Sequence, residues 1–520
     1  MIFRSPYPEV EIPSDMSLPA FLIERAMQRV ERPAQIDAPS GAVRTFGQVI
    51  DESARVAAGL SAAGLRRGDV VALYSPNRFD WPIAYYGILF AGAVVTPVNP
   101  MHTGDELRRQ LEDTGAVMIV TVPALLERVE SVRPTTRLRQ IVTFGDAPGT
   151  MAFDDLRAHP AQPPVVDADP GDVCIMPTSS GTTGPPKPVM LSHHAIIASI
   201  IQMQGAGVWD ESDTLLNVLP FFHRAGIDSC LHHAFASGTT SVLLPRFDLD
   251  ETLAAVERYR VTAAVWVPPI LQAMSKAPQV ESYDVSSLEF IYTAAAPAGR
   301  ELGERFTRRL GCGLRQVYGM TEGLPVTTTP RDGVVLGSTG MVSPNTEVKI
   351  VDVATGAELG PDQTGEIWAR GVQLMSGYLN RPDATVETLT PDGWLRTGDI
   401  GYADADGNFY VVDRLKELIK YKGYQVAPAE LEDILKGHPE IVDAAVIGSL
   451  DEDAGELPKA FVVAANGNLS AEDVIAYVAA RVAPYKKIRL VEFIDAIPRN
   501  PSGKILRRAL IERERGAIPA

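Results

Sequence analysis

From Asp69 onward, short apolar runs alternate with longer helix-like stretches. The runs are Val70 to Tyr74, Ala93 to Val98 and Val117 to Val122, and helix-like segments from Asp80 to Ala91 and from Asp105 to Asp113 lie between them. Short strands joined by helical crossovers pair in parallel and need cover on both faces, so this rhythm predicts a layered α/β body. It resumes at Asp172 to Thr178, Thr214 to Leu219, Ser241 to Pro245, Ala263 to Val267, Phe290 to Ala294 and Leu314 to Tyr318. A proline-rich stretch from His159 to Pro170 reads as a connector between the two runs.

The pattern changes from Gly333 to Tyr410. Short strands such as Glu347 to Val351, Glu366 to Ala369 and Asn408 to Val412 alternate with Gly, Pro, Asp and Asn turns, which predicts a β-rich, barrel-like subdomain. After Asp413-Arg414 the rhythm becomes α+β: a helix from Pro428 to Lys436, strands at Ala444 to Ile447 and Ala460 to Ala464, a helix from Ala471 to Val482 and a basic tail. The expected division is a large domain over residues 1–414 and a small one over 415–520.

Composition narrows the classes. A chain of 520 residues, 45% hydrophobic and 22% charged, supports a large multilobed core with a satellite. A formal charge of -17 with no long Lys/Arg run disfavours nucleic acid as a partner, so any anionic ligand must be held by local donors. Cys174, Cys230 and Cys312 form neither a CxxC pair nor a zinc spacing. No run reaches the ~20 apolar residues of a membrane span, Met1 to Pro13 lacks the apolar core of a signal peptide, and the last residues are not a peroxisomal tripeptide. These readings set the expectation of a cytoplasmic protein.

The strongest local chemistry is the run Thr178-Ser179-Ser180-Gly181-Thr182-Thr183-Gly184-Pro185-Pro186-Lys187. Read as a turn between an apolar strand and a helix beginning near Ser192, it offers glycines that let backbone amides approach a ligand and hydroxyls suited to phosphate oxygens. It is not a Walker A loop, because proline precedes Lys187 and no Ser or Thr follows it.

This loop resembles the phosphate-binding signature of the adenylate-forming superfamily, which includes acyl-CoA synthetases, 4-coumarate-CoA ligases, amino-acid adenylation domains and firefly luciferase. Further motifs follow in the family's order: Leu219-Pro220-Phe221-Phe222-His223, Ala294-Ala295-Ala296-Pro297, Tyr318-Gly319-Met320-Thr321-Glu322 and Thr397-Gly398-Asp399. After them come Asp413-Arg414-Leu415-Lys416-Glu417, Lys420-Tyr421-Lys422-Gly423-Tyr424-Gln425 and Pro498-Arg499-Asn500-Pro501-Ser502-Gly503-Lys504. The resemblance spans roughly Phe46 to Arg508, and the pattern is nearest to 4-coumarate-CoA ligase and fatty-acyl-CoA synthetase-like enzymes.

It implies an acid–thiol ligase that uses ATP and Mg²⁺ to turn a carboxylic acid into an acyl-AMP and then passes the acyl group to coenzyme A. The nucleotide would lie against the Thr178 to Lys187 loop, Ala295, Ala296, Pro297, Tyr318, Gly319, Met320 and Thr321. Glu322 suits Mg²⁺ as a hard oxygen ligand, and Asp399 with Arg414 matches the ribose hydroxyls. Lys504 is the implied catalytic lysine; its ammonium can follow charge developing on the α-phosphate. Lys420, Lys422, Gly423, Tyr424 and Gln425 form the implied thioester loop, and Lys416 the hinge about which the small domain turns between the two half-reactions.

His223, Ala225, Ala294, Val317 and Gly319 would line the acyl pocket. The absence of an Asp at His223 argues against α-amino acids, and Gly319 leaves open a position that acetate-specific relatives fill with tryptophan. Val317, where a glycine is frequent, points to a compact or medium-length acid. Arg224 and Asp228 place charges nearby. The alternative is a stand-alone adenylation enzyme loading a carrier-protein phosphopantetheine; a luciferase-like oxygenase and a degenerate scaffold are weaker rivals. Family members are monomers or homodimers.

Overall fold

The computed structural model describes residues 1–160, 168–179, 186–296, 298–422, 424–451, 453–465, 469–500 and 503–516. Among them, four sheets carry the fold. The first runs from Gly377–Tyr378 through Val189–Ser192, Val173–Ile175, Val94–Val98, Val70–Tyr74, Met118–Thr121 and Gln140–Thr143 to Met151–Ala152. The second runs from Met341–Val342 through Gly323–Thr328, Gly313–Met320, Phe290–Thr293, Ala263–Trp266, Thr214–Asn217, Thr240–Leu243 and Pro33–Asp37 to Val43–Thr45. Most neighbours in both pair in parallel, as the alternation predicts.

The helix Trp81–Phe90 is buried along its whole length. Its rings stack onward into the site: Trp81 lies 5.5 Å from Tyr85 and 5.1 Å from Phe221, centroid to centroid. Each such pair adds about 0.5–1.5 kcal/mol beyond the area it buries. The next helix, Gly104–Thr114, starts at a Thr103/Glu106 capping box and stops at Gly115 in the left-handed region, so its bounds follow from end chemistry.

The β-rich segment is present, but its strands form an open sheet instead of the expected barrel. Ile2–Arg4, Thr346–Val351, Gly365–Gly371, Leu395–Ala403 and Phe409–Arg414 pair in that order, with no pairing between first and last. A fourth sheet, holding Tyr424–Val426, Ile419–Tyr421, Gly455–Ala464, Ile441–Asp451 and Leu490–Phe493, encloses a separate apolar cluster with the helices Pro428–Lys436 and Ala471–Ala479. The third sheet thus ends at Arg414 and the fourth begins at Ile419. No helix among the described residues is long and apolar enough to cross a membrane.

One local expectation is corrected. The Thr178 to Lys187 loop does not lead directly into a helix: the strand Val189–Ser192 intervenes and pairs antiparallel with Val173–Ile175. The helix His193–Gly205 begins only beyond that strand, capped by Ser192. Its N-terminus therefore does not open the loop. The short run Val189-Met190-Leu191 reads equally as a helix lead-in or a strand, and only the partner strand decides.

Candidate active site

Residues 180–185 of the Thr178 to Lys187 loop, and with them Ser180, Gly181, Thr182, Thr183 and Gly184, lie outside the described residues, as do Pro297 and Gly423. The loop's two ends are clamped together. Thr178 bridges Pro188, the Ser179 amide donates to the Lys187 carbonyl at 2.9 Å, and the Lys187 amide donates to Ser179 Oγ at 3.3 Å. Lys187 Nζ stands 4.6 Å from the centre of the Tyr378 ring.

Tyr378 was not singled out by sequence, yet it joins two of the motifs. Its hydroxyl donates to Glu322 Oε1 at 2.7 Å, and burial together with the neighbouring Glu322 carboxylate holds its pKa far above the usual phenol value. Glu322 and Thr321 form the turn between the paired residues Met320 and Gly323. The Met375 amide fixes the Glu322 carbonyl at 2.8 Å.

The two residues expected at the ribose meet across one hairpin. Asp399 and Arg414 are register partners, with Arg414 Nε 3.2 Å from Asp399 Oδ1. The Tyr318 hydroxyl donates to Asp399 Oδ2 at 2.8 Å. Burial raises the Asp399 pKa, opposed by the Arg414 guanidinium. Opposite them, Ala295 has φ 74, a left-handed conformation that costs a non-glycine residue roughly 1–2 kcal/mol. Strain of this kind concentrates where a backbone is shaped for a ligand. Ala295 and Ala296 both line a cleft of about 1490 Å³ with Tyr318, Asp399, Arg414 and Gln425.

Lys504 reaches the same place. It lines that cleft and a second cavity of about 480 Å³ that also holds Lys187, His223, Thr321, Glu322 and Lys416. Its Nζ is buried and has no hydrogen-bond partner among the described residues. Burial and then the nearby Arg414 push its pKa down to about 8. A buried cation without a partner is costly unless a ligand supplies the counter-charge, and anionic phosphate and carboxylate oxygens fit that need.

The inner part of the smaller cavity is lined by Met203, Trp209, Val265, Tyr292 and His233, with Ala225, Ala294, Val317 and Met320. Sequence reading missed the first five because they come from five separate segments. The loop carrying His223 is held by Asn77, whose side chain donates to the Leu219 carbonyl and accepts from the Phe221 amide, each at 2.7 Å. His223 Nδ1 accepts the Ala225 amide at 3.3 Å; burial, then Lys504, pushes its pKa down to about 4, so the imidazole is neutral near pH 7. The charges of Arg224 and Asp228 face each other at 2.8 Å and are both buried.

Gly319 has a packing reason beside the one read from sequence. A Cβ there would come within 2.5 Å of Leu324 Cδ1 and 2.9 Å of the Gly323 carbonyl, so the hairpin itself excludes a side chain. Lys420, Lys422 and Tyr424, by contrast, are exposed and line neither cavity. Lys422, at φ 48, occupies the turn between the paired residues Tyr421 and Tyr424, and the Tyr424 ring stacks on Tyr485 at 4.6 Å. Of the thioester-loop residues, Gln425 alone among those described lines the cleft.

Residues 22–379 match the model of the AMP-binding enzyme family, and residues 430–504 match the AMP-binding enzyme C-terminal domain. The chain belongs to the AMP-binding enzyme family. This family member is 42% identical to 4-coumarate-CoA ligase 1 of Narcissus pseudonarcissus, over 100% of this chain and 97% of that one. It is also 42% identical to 4-coumarate--CoA ligase 5 of Oryza sativa subsp. japonica, over 100% of this chain and 98% of that one. Among solved structures, the anthranilate CoA ligase AuaEII in complex with anthranoyl-AMP superposes with a TM-score of 0.90 at 25% identity, covering 97% of this chain and 98% of that one. ATP-bound MatB from Rhodopseudomonas palustris superposes with a TM-score of 0.88 at 26% identity, covering 96% and 99%.

Proposed function

We propose that this AMP-forming acid–CoA ligase acts on a compact carboxylic acid with an uncharged tail, with its two half-reactions divided between Lys504 and the loop from Lys420 to Gln425. In the first half, a carboxylate oxygen attacks the α-phosphorus of ATP; the bond to the bridging oxygen breaks and pyrophosphate leaves. In the second, the CoA sulfur attacks the acyl carbon, AMP leaves as a phosphate anion, and the thiol proton passes to solvent.

The observation that carries this reading is the buried Lys504 ammonium, without a hydrogen-bond partner among the described residues, beside Asp399 and Arg414. Both reactants of the first half are anions, so a cation at the α-phosphate lowers the barrier more than it favours the ground state. Asp399 and Arg414 orient the ribose, and the Thr178 to Lys187 loop holds the departing phosphates. Glu322 offers one carboxylate fixed by Tyr378, which suits a Mg²⁺ that arrives with the nucleotide and keeps phosphate oxygens and waters as its other ligands. When bound, Mg²⁺ supplies charge neutralisation on the phosphates.

The acid's tail would enter the 480 Å³ cavity. Part of that volume belongs to the phosphate end, so a ring-sized tail against Trp209, Tyr292 and Val265 fits better than a long acyl chain. Arg224 is already paired with Asp228, so that guanidinium offers no net charge to a second carboxylate. Pyrophosphate exchange across a panel of acids, with thioester formation followed on adding CoA or a carrier protein, tests this. Exchange with no acid, or thioester formed on the carrier and not on CoA, would overturn it. Val317→Gly should raise kcat/KM for acids with bulkier tails relative to the best wild-type acid by about tenfold or more, since Val317 borders both cavities.

The pH dependence follows from the sign of the Lys504 shift. Its pKa lies below the lysine norm, so the ammonium persists below about 8 and is lost above it. For pyrophosphate exchange, kcat/KM for ATP should fall as pH rises through about 8, whereas thiolysis of supplied acyl-AMP should lack that limb. The same reading places the division between bodies at Arg414 and Leu415, and the protein in the cytoplasm as a monomer or homodimer; the three buried free cysteines support a reducing compartment.

A further inference from the structure

Arg224 opens the short helix Arg224–Gly226, which runs into a π-helical turn, Ile227–His233. The backbone there is tightly seated: a Cβ on Gly226 would fall 2.2 Å from the Pro220 carbonyl oxygen. π-Helical turns are rare and frequent at functional sites. The buried guanidinium makes three directed contacts. Nε meets Asp228 Oδ2 at 2.8 Å, Nη1 donates to the Thr321 carbonyl at 2.5 Å, and Nη2 reaches the Leu324 carbonyl at 3.5 Å. Behind it, Asp228 Oδ1 lies 3.0 Å from His232 Nδ1, and His232 Nε2 lies 2.8 Å from the Tyr85 hydroxyl. The series ends in the fully buried helix Trp81–Phe90.

Thr321 lies in the turn that carries Glu322 and Leu324 just beyond it, so the guanidinium holds that turn through two carbonyls while Tyr378 holds the carboxylate. We infer that Arg224 is a positioning residue: braced by Asp228, it sets the Glu322 carboxylate from the wall of the acyl pocket for the magnesium carried by the nucleotide. Each of its three nitrogens meets a partner within the protein, which ties the guanidinium to the turn. A lysine cannot reproduce the role, because an ammonium lacks the planar fork that spans two carbonyls and a carboxylate at once. The inference rests on the reading of Glu322 given above.

The test is Mn²⁺ binding in the presence of ATP, measured by the electron paramagnetic resonance of free Mn²⁺, alongside a thermal melt. Arg224→Lys should weaken Mn²⁺–ATP binding by about tenfold, the scale found when a partner that orients a metal ligand is removed. It should also raise the Mg²⁺ concentration that half-saturates pyrophosphate exchange. In a Glu322→Gln background the same change should add nothing, since one removes what the other positions. Unchanged Mn²⁺–ATP binding in folded Arg224→Lys, with only the melting temperature lowered, would reduce Arg224 to a structural brace and overturn the inference. So would full additivity with Glu322→Gln. Should Arg224→Lys fail to fold, Asp228→Asn loosens the same guanidinium, and a weakening smaller than that of Glu322→Gln and non-additive with it is expected; none overturns the inference. Wild-type protein that exchanges no pyrophosphate would instead refute the functional reading.

Discussion

Lys504→Ala lowers pyrophosphate exchange by about a thousandfold or more, the upper end for removing one transition-state donor, and leaves thiolysis of supplied acyl-AMP within a few-fold of wild type. The separation follows from where the side chain sits. Its ammonium borders both the larger cleft and the smaller cavity, beside Asp399 and Arg414, whereas the Lys422 and Tyr424 side chains lie exposed and away from both. The variant should also be no less stable than wild type near pH 7. A lysine whose folded pKa is depressed is disfavoured in its charged form, that cost is fully present below the folded pKa, and truncation removes it. Paired half-reaction assays and a thermal melt check both statements. An equal fall in the two half-reactions would assign Lys504 to holding the site together instead of to charge.

What could be read from the sequence depended on how far a feature's partner lay along the chain. The strand Val70–Tyr74 and the helix Pro428–Lys436 fall where their own periodicity puts them, because each is set by local patterning. Asp399 and Arg414 meet because a single hairpin pairs them. The strands within the first 68 residues carry no such signal. Pro33–Asp37 pairs with Thr240–Leu243, and Ile2–Arg4 with Thr346–Val351, and nothing in either short run announces a partner so distant. The β-rich segment was legible as strands but not as an open sheet, since closure depends on whether the two edges meet. At the site, the ordered motifs led to Lys504, Glu322 and His223. They did not lead to Tyr378 or Asn77, whose partners Glu322 and Leu219 lie on those motifs, or to Trp209, whose ring meets Tyr292 on a separate strand.

Lys416→Pro should keep pyrophosphate exchange within a few-fold while lowering CoA-dependent thioester formation by at least about a hundredfold, the cost of a misplaced reactant. The residue lies between two anchors. On one side, the Leu415 amide donates to the Gly398 carbonyl at 2.8 Å, which ties it to the hairpin of Asp399 and Arg414. On the other, Glu417 pairs with Arg507 at 2.8 Å, and Arg507 pairs with Glu432 at 2.8 Å inside the C-terminal cluster. A rotation that withdraws Lys504 and brings the loop of Lys420 to Gln425 inward must therefore change the backbone between Leu415 and Glu417. Proline fixes φ near -65° and restricts the residue before it, so it removes the freedom that such a turn requires. Single-turnover assays that follow acyl-AMP first and thioester after a CoA chase separate the outcomes. Loss of exchange with thiolysis retained would mean that the ring holds the other orientation. Full retention of both would remove the case for a swing at this residue.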